Sequence, residues 1–227
     1  MTECKAFVIW RCIMKKILVT SFEPFGGEML NPSQIAVAEL PDVIDGVEII
    51  KQVIPVVFDE SIEVLYGRLK QEKPDAIICV GQAGGRPNIT VERVAINVND
   101  ARIGDNSGMA PVDEPIFVTG PAAYFATLPI KAMVQHCNEA GIPAAISNSA
   151  GTFVCNHLLY AACHYGALNQ PGMKAGFVHI PFVPEQTIDK PTMPSMSKVD
   201  IVAGLISLIK TVIHVNEDVL ITGGAEH

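Results

Sequence analysis

Ala144-Ala-Ile-Ser-Asn-Ser-Ala-Gly-Thr-Phe-Val-Cys-Asn-His-Leu-Leu-Tyr160 reads as a short apolar strand, a small-residue turn and a helix. Ala144 to Ile146 end a buried strand, and Ser147 to Gly151 carry turn and cap chemistry. From Thr152, the spacing of Phe153, Leu158, Leu159, Ala161 and Ala162 is helical. Cys155 therefore falls in the first helical turn, where unpaired N–H groups and the helix dipole favour a thiolate. The other reading of Cys155 is a small core hydrophobe beside Phe and Val.

The same alternation of strand and helix runs outward from this stretch. Lys15 to Ser21 predicts a buried strand, and Phe22-Glu-Pro-Phe-Gly-Gly27 breaks it. A helix is expected from Asn31-Pro-Ser33 to about Leu40, a strand over Val47 to Ile54, and a helix over Asp59 to Lys73 with Asp59 as cap. Ala76 to Val80 is a fully apolar strand, followed by Gly81-Gln-Ala-Gly-Gly85. Ile89 to Asn97 alternates and predicts one strand; Ile116 to Val118 predicts a short one. Thr127 to Ala140 is helical, closed by Gly141 and Pro143. Ala175 to Pro181 is a last strand, Pro184 to Ser197 a loop and Lys198 to Ile213 an amphipathic helix. The fold class is α/β, a sheet with parallel pairs covered by helices on both faces. Such sheets bind ligands beyond the carboxyl ends of their strands, which groups the loops after Ser21, Val80, Ile146 and His179.

The 227 residues suit one domain over 14–227, with Met1 to Ile13 an extension outside it. At 49% hydrophobic and 18% charged, with mean hydropathy +0.32, the chain can build a large core. A net charge of −8 and a pI near 5.2 argue against nucleic-acid binding, which needs a basic face. No run reaches the ~20 apolar residues of a membrane span, and no secretory leader is expected. The six cysteines form neither a C-x-x-C pair nor zinc-finger spacing, which points to a reducing, cytoplasmic setting.

His179, near the end of an apolar strand, is either a satisfied structural histidine or the base that a thiol nucleophile needs. Glu92 alternates with Val91 and Val94, so it either faces solvent or orients that imidazole. Gly81–Gly85 lacks the G-x-G-x-x-G spacing and a Walker lysine, and only Arg86 is a nearby cation. A phosphate- or nucleoside-binding α/β protein of phosphorylase type is the alternative that loop suggests.

Four segments read together go further. These are Thr20-Ser-Phe-Glu-Pro-Phe-Gly-Gly27 with Asn31-Pro-Ser33; Glu92-Arg-Val-Ala-Ile-Asn97 with Asp100-Ala-Arg-Ile103 and Asp105-Asn106; Ser147 to Asn156 with Tyr160; and His179-Ile-Pro-Phe182. In this order, from about Met14 to Ile213, they resemble the pyroglutamyl peptidase I family of cysteine peptidases. The resemblance implies a single α/β/α sandwich, often a homotetramer, that removes N-terminal pyroglutamate (5-oxoproline) from peptides without metal or cofactor. It implies a triad of Cys155, His179 and Glu92. It also implies a lactam pocket walled by Phe22, Phe25, Phe153, Val154 and Ile103, with Gln82 binding the lactam and Asn31 supporting the site. Gly104 stands where the family commonly has proline. A catalytically inactive homologue is the remaining alternative.

Overall fold

The computed structural model describes residues 14–224, so the expected extension at Met1 to Ile13 lies outside the described residues. The elements run β1 (Lys16–Phe22), α1 (Pro32–Ala38), β2 (Val43–Ile44), β3 (Val47–Ile54), α2 (Glu60–Glu72), β4 (Ala76–Gln82), β5 (Ile89–Glu92) and β6 (Val94–Ile96). They continue through β7 (Ala123–Phe125), α3 (Ile130–Glu139), β8 (Ala144–Ser147), α4 (Val154–Asn169), β9 (Lys174–Ile180), a 3-10 turn (Pro184–Gln186) and α5 (Lys198–His214). Seven strands form one sheet in the order β2-β3-β1-β4-β9-β5-β8, and β6 pairs with β7 in a separate ribbon. Strands β3, β1, β4 and β9 are parallel.

Two layers of helix cover this sheet, because its central strands are apolar on both faces. Ile17, Val19, Ile78, Val80 and Val178 pack with residues of α1, α3 and α5, among them Ala36, Met133 and Leu205. Leu18, Ile77, Cys79 and Phe177 pack on the other side with α2 and α4, through Leu65, Leu69, Leu158 and Tyr160. Leu65 and Leu69 are fully buried, and such a leucine contributes about 1.5–3 kcal/mol by leaving water. Asn31 caps α1, its side chain accepting from Ser33 N–H, and Ser197 caps α5 by accepting from Asp200 N–H. Among the described residues no helix is long and apolar enough to cross a membrane.

The sequence reading needs four corrections. The segment Ile89 to Asn97 is two strands, not one. Arg93 N–H donates to Ser147 C=O and ends the main-sheet ladder, and β6 then turns away to pair with β7. Ile116 to Val118 is not a strand: the Asn97 side chain bonds Phe117 N–H and C=O and reaches Gly120 C=O, pinning a turn there. Asp59 precedes α2 with φ +60° and no side-chain capping bond; its own N–H donates to His157 Nε2. Finally, β5 runs antiparallel to β9, and β8 is parallel to β5. The carboxyl end of β8 therefore does not share an edge with those of β1, β4 and β9. The loop after it doubles back instead, and Arg86 holds it there by donating to Ser149 C=O.

Candidate active site

The strand reversal explains where Glu92 goes. Ile89 and Val91 enter the α1/α3/α5 core, so the period of two turns Thr90 and Glu92 to the opposite face. That face is covered by α4, not by solvent, and Glu92 is fully buried. One diagonal step away on β9, His179 is 4% exposed, and its Nδ1 lies 2.7 Å from Glu92 Oε1. Arg86 Nη1 donates to the same oxygen at 2.8 Å and also to Thr90 Oγ1. Burial pushes the Glu92 pKa up, but the hydrogen bond from His179, with that from Arg86 beside it, outweighs burial and holds the carboxyl below its ordinary value. Burial holds His179 below its ordinary value despite the carboxylate. The imidazole is therefore neutral near pH 7. With Nδ1–H donated to Glu92, its Nε2 is left as the basic atom.

Cys155 reaches the same face from α4. It is the second residue of that helix and is half-buried. Gly81 and His179 are register partners on adjacent parallel strands, so their Cα substituents point the same way. A Cβ added at Gly81 would stand 3.2 Å from Cys155 Sγ and 2.7 Å from the Phe177 ring. The thiol thus sits over Gly81, beside the histidine. The expected lowering of its pKa does not occur: burial first, and then the Glu92 charge, push it up to about 12. The resting pair is a neutral thiol and a neutral imidazole, so the proton must move when the sulfur attacks. Phe153, which precedes the helix, supplies no side-chain cap, so the first helical N–H groups are left for another acceptor.

A narrow cavity of about 10 Å³ adjoins the sulfur, lined by Phe22, Phe25, Asn31, Val56, Gln82, Phe153, Val154 and Cys155. Its aromatic wall is braced: Phe153 packs at 6.2 Å from Phe25 and edge-on at 5.4 Å from Phe58. Six of the seven predicted pocket residues line it. Ile103 does not; it is exposed at the surface, and Val56 lies in the wall in its place. Asn31 also ties the loop after β1, donating to Glu23 C=O. Val56 was missed because nothing in its local pattern marks it. Arg86 was noted only as a lone cation near a glycine-rich loop.

Arg86 also disposes of the phosphate reading. Its guanidinium is engaged by Glu92, Thr90 and Ser149. Gly81 and Gln82 are the last residues of β4, and the chain continues into β5 rather than into a helix that could cradle an anion.

Comparison with known proteins agrees with this geometry. The family model for pyroglutamyl peptidase matches residues 15–215. A pyrrolidone-carboxylate peptidase of Alkaliphilus oremlandii is 58% identical over 210 residues, covering 92% of this chain and 99% of that protein. One from Finegoldia magna is 53% identical, over 93% of this chain and all of the relative. The crystal structure of pyroglutamyl peptidase I from Bacillus amyloliquefaciens superposes with a TM-score of 0.90 at 48% identity, over 92% of this chain and 100% of that one. A mutant pyrrolidone carboxyl peptidase from Pyrococcus furiosus gives 0.85 at 43%, over 87% and 98%. With the family match spanning nearly all its described residues, the chain belongs to the pyroglutamyl peptidase family.

Proposed function

We propose that this protein is a cysteine exopeptidase that hydrolyses N-terminal pyroglutamate from peptides, with Cys155 as nucleophile, His179 as general base and acid, and Glu92 as its orienting carboxylate. The observation that carries the reading is the thiol, placed beside a Glu92-bound imidazole and at the mouth of a cavity with no ionised lining group. Pyroglutamate is a compact neutral lactam. A free N-terminal ammonium would lose its hydration in such a cavity with nothing to replace it, so the blocked residue is selected.

The chemistry follows from the protonation states. As Sγ attacks the carbonyl carbon after the lactam ring, the thiol proton passes to His179 Nε2. Glu92 stabilises the imidazolium that forms. The free N–H groups at the start of α4 receive the oxyanion. When the tetrahedral species collapses, His179 protonates the leaving amine and a thioester remains. Water, deprotonated by the same imidazole, then releases pyroglutamate and restores the thiol.

We also infer a homo-oligomer in the cytoplasm, tetrameric as the resemblance implies. The ribbon supports self-association: the pairing of Val94 with Phe125 and Ile96 with Ala123 puts these four on one face, where Ile96 is 36% and Phe125 71% exposed. The four described cysteines are free thiols, in keeping with a reducing compartment.

A fluorogenic pyroglutamyl amide tests the main reading. Wild type should release the amine under reducing conditions, and Cys155→Ser should abolish detectable turnover; equal rates for the two would sink it. The lowered His179 pKa sets the sign of the pH dependence. The base is active when neutral, so kcat/KM should fall only as pH drops below the ordinary imidazole value of 6.5. An acid limb centred above 7 would contradict that environment. Gly81→Ala should drive a methyl into the Phe177 ring and Sγ, and a displacement of that kind costs kcat/KM roughly 100-fold. Steady-state kinetics beside a thermal melt separate this from unfolding. For the assembly, Phe125→Glu should lower the sedimentation coefficient; an unchanged value would remove the ribbon from the interface.

A further inference from the structure

A buried polar group that the mechanism leaves unused, bonded to a residue of the cavity wall, is the Gln186 side chain. It is 7% exposed, on the 3-10 turn after β9. Its hydrogen bonds have a fixed direction. Val183 N–H can only donate, and it donates to Gln186 Oε1 at 3.2 Å. The nitrogen of the amide must then face the other way. There Gln186 Nε2 donates to Gln82 Oε1 at 2.9 Å and approaches Glu28 Oε2 at 3.5 Å. Glu28, a carboxylate that accepts only, is paired in turn with Lys190, whose ammonium also lies 4.9 Å over the Phe182 ring. A backbone donor on its oxygen and a carboxylate beside its nitrogen leave one orientation for the Gln186 amide, which in turn fixes the Gln82 oxygen towards it.

From this relay we infer that Gln186 is a positioning residue that sets substrate specificity. Resting on the pyroglutamyl reading, it takes the oxygen of Gln82 and so leaves the Gln82 NH₂ as the group presented to the cavity. The cavity then offers a fixed donor to the ring carbonyl of the lactam. A site built around a fixed donor rejects rings that lack a strong acceptor, because the donor is otherwise buried without a partner. The same relay ties the segment after β9 to the loop after β1 and the end of β4, two pieces that line the cavity.

Kinetics on the pyroglutamyl amide test this with two substitutions. Gln186→Met keeps the volume and removes the relay, and KM should rise about tenfold, the worth of one hydrogen bond. The kcat should stay nearly constant, as should the rate of Cys155 alkylation by iodoacetamide, because the triad is untouched. Gln186→Glu should be worse than Gln186→Met, since a carboxylate there draws in the Gln82 NH₂ and turns its oxygen to the substrate. An unchanged KM in both variants overturns the proposal. So does a joint fall of kcat and alkylation rate, which marks a structural role only. Should either variant fail to fold, the unaltered protein decides. A fixed donor should favour 2-pyrrolidone over 2-pyrrolidinethione as a competitive inhibitor by about tenfold, the worth of that same bond. Equal or tighter binding of the thiolactam, a weaker acceptor with a stronger N–H, overturns it. Absence of any pyroglutamyl turnover in wild type would instead fail the reading of function.

Discussion

The hydrogen bond between His179 Nδ1 and Glu92 Oε1 crosses the antiparallel seam between β9 and β5, where a long parallel run meets a strand going the other way. A fully buried carboxylate costs several kcal/mol unless it is paired and hydrogen-bonded. Here the compensation comes from two directions, the imidazole across the seam and Arg86 from the loop that precedes β5. The seam therefore has to be antiparallel and in this register, with Thr90 opposite His179 and Glu92 one diagonal step away. A slip of one residue would turn Glu92 into the α1/α3/α5 core and a valine towards the histidine. Removing one partner of a buried pair typically costs 3–5 kcal/mol, so this bond bears on stability as well as on the chemistry.

The chemistry and the recognition share one piece of chain. Phe153, Val154 and Cys155 are consecutive, and the first two wall the cavity that the third opens into. On the proposed function, a lactam bound in that cavity would bring the carbonyl that follows it next to the sulfur, so binding and attack would be aligned by one helix start. The raised thiol pKa fits this economy. A permanent thiolate beside the Glu92 carboxylate would be repelled by it. A neutral thiol is tolerated in a half-buried site and ionises only as a carbonyl arrives to take the charge.

The architecture was legible where local physics decides it. The apolar runs of β1, β4 and β9, and the helices α4 and α5, follow from period and turn chemistry. Strand direction was not, because Ala144 to Ile146 has the same composition whichever way it runs. That is why the loop after β8 was grouped with the wrong edge. Glu92 shows a subtler failure. Alternation correctly put it opposite Val91, but a polar face implies solvent only if nothing covers it, and α4 covers it. Only resemblance selected Glu92, His179 and the pocket, and resemblance also misplaced Ile103, whose side chain is at the surface. Arg86 and Gln186 act through partners distant in sequence or across a fold-dependent turn, so no periodicity reveals them.

A second buried histidine shows what sets His179 apart. His157 lies two residues beyond Cys155 and is fully buried. Its Nε2 accepts from Asp59 N–H, its Nδ1 bonds Asn99, and burial pushes its pKa down to about 4. Both of its nitrogens are committed to neutral groups, so it can neither take up a proton cheaply nor reach a substrate. It braces Phe58 edge-on at 5.3 Å, and Phe58 in turn braces Phe153. His179 is equally buried, yet one nitrogen faces a carboxylate and the other is free. Burial alone makes an imidazole neutral; a charged partner on one side and an open lone pair on the other make it a base. The two histidines thus differ within one layer: His157 fixes the wall of the cavity, and His179 has the free nitrogen that the proposed proton transfer needs.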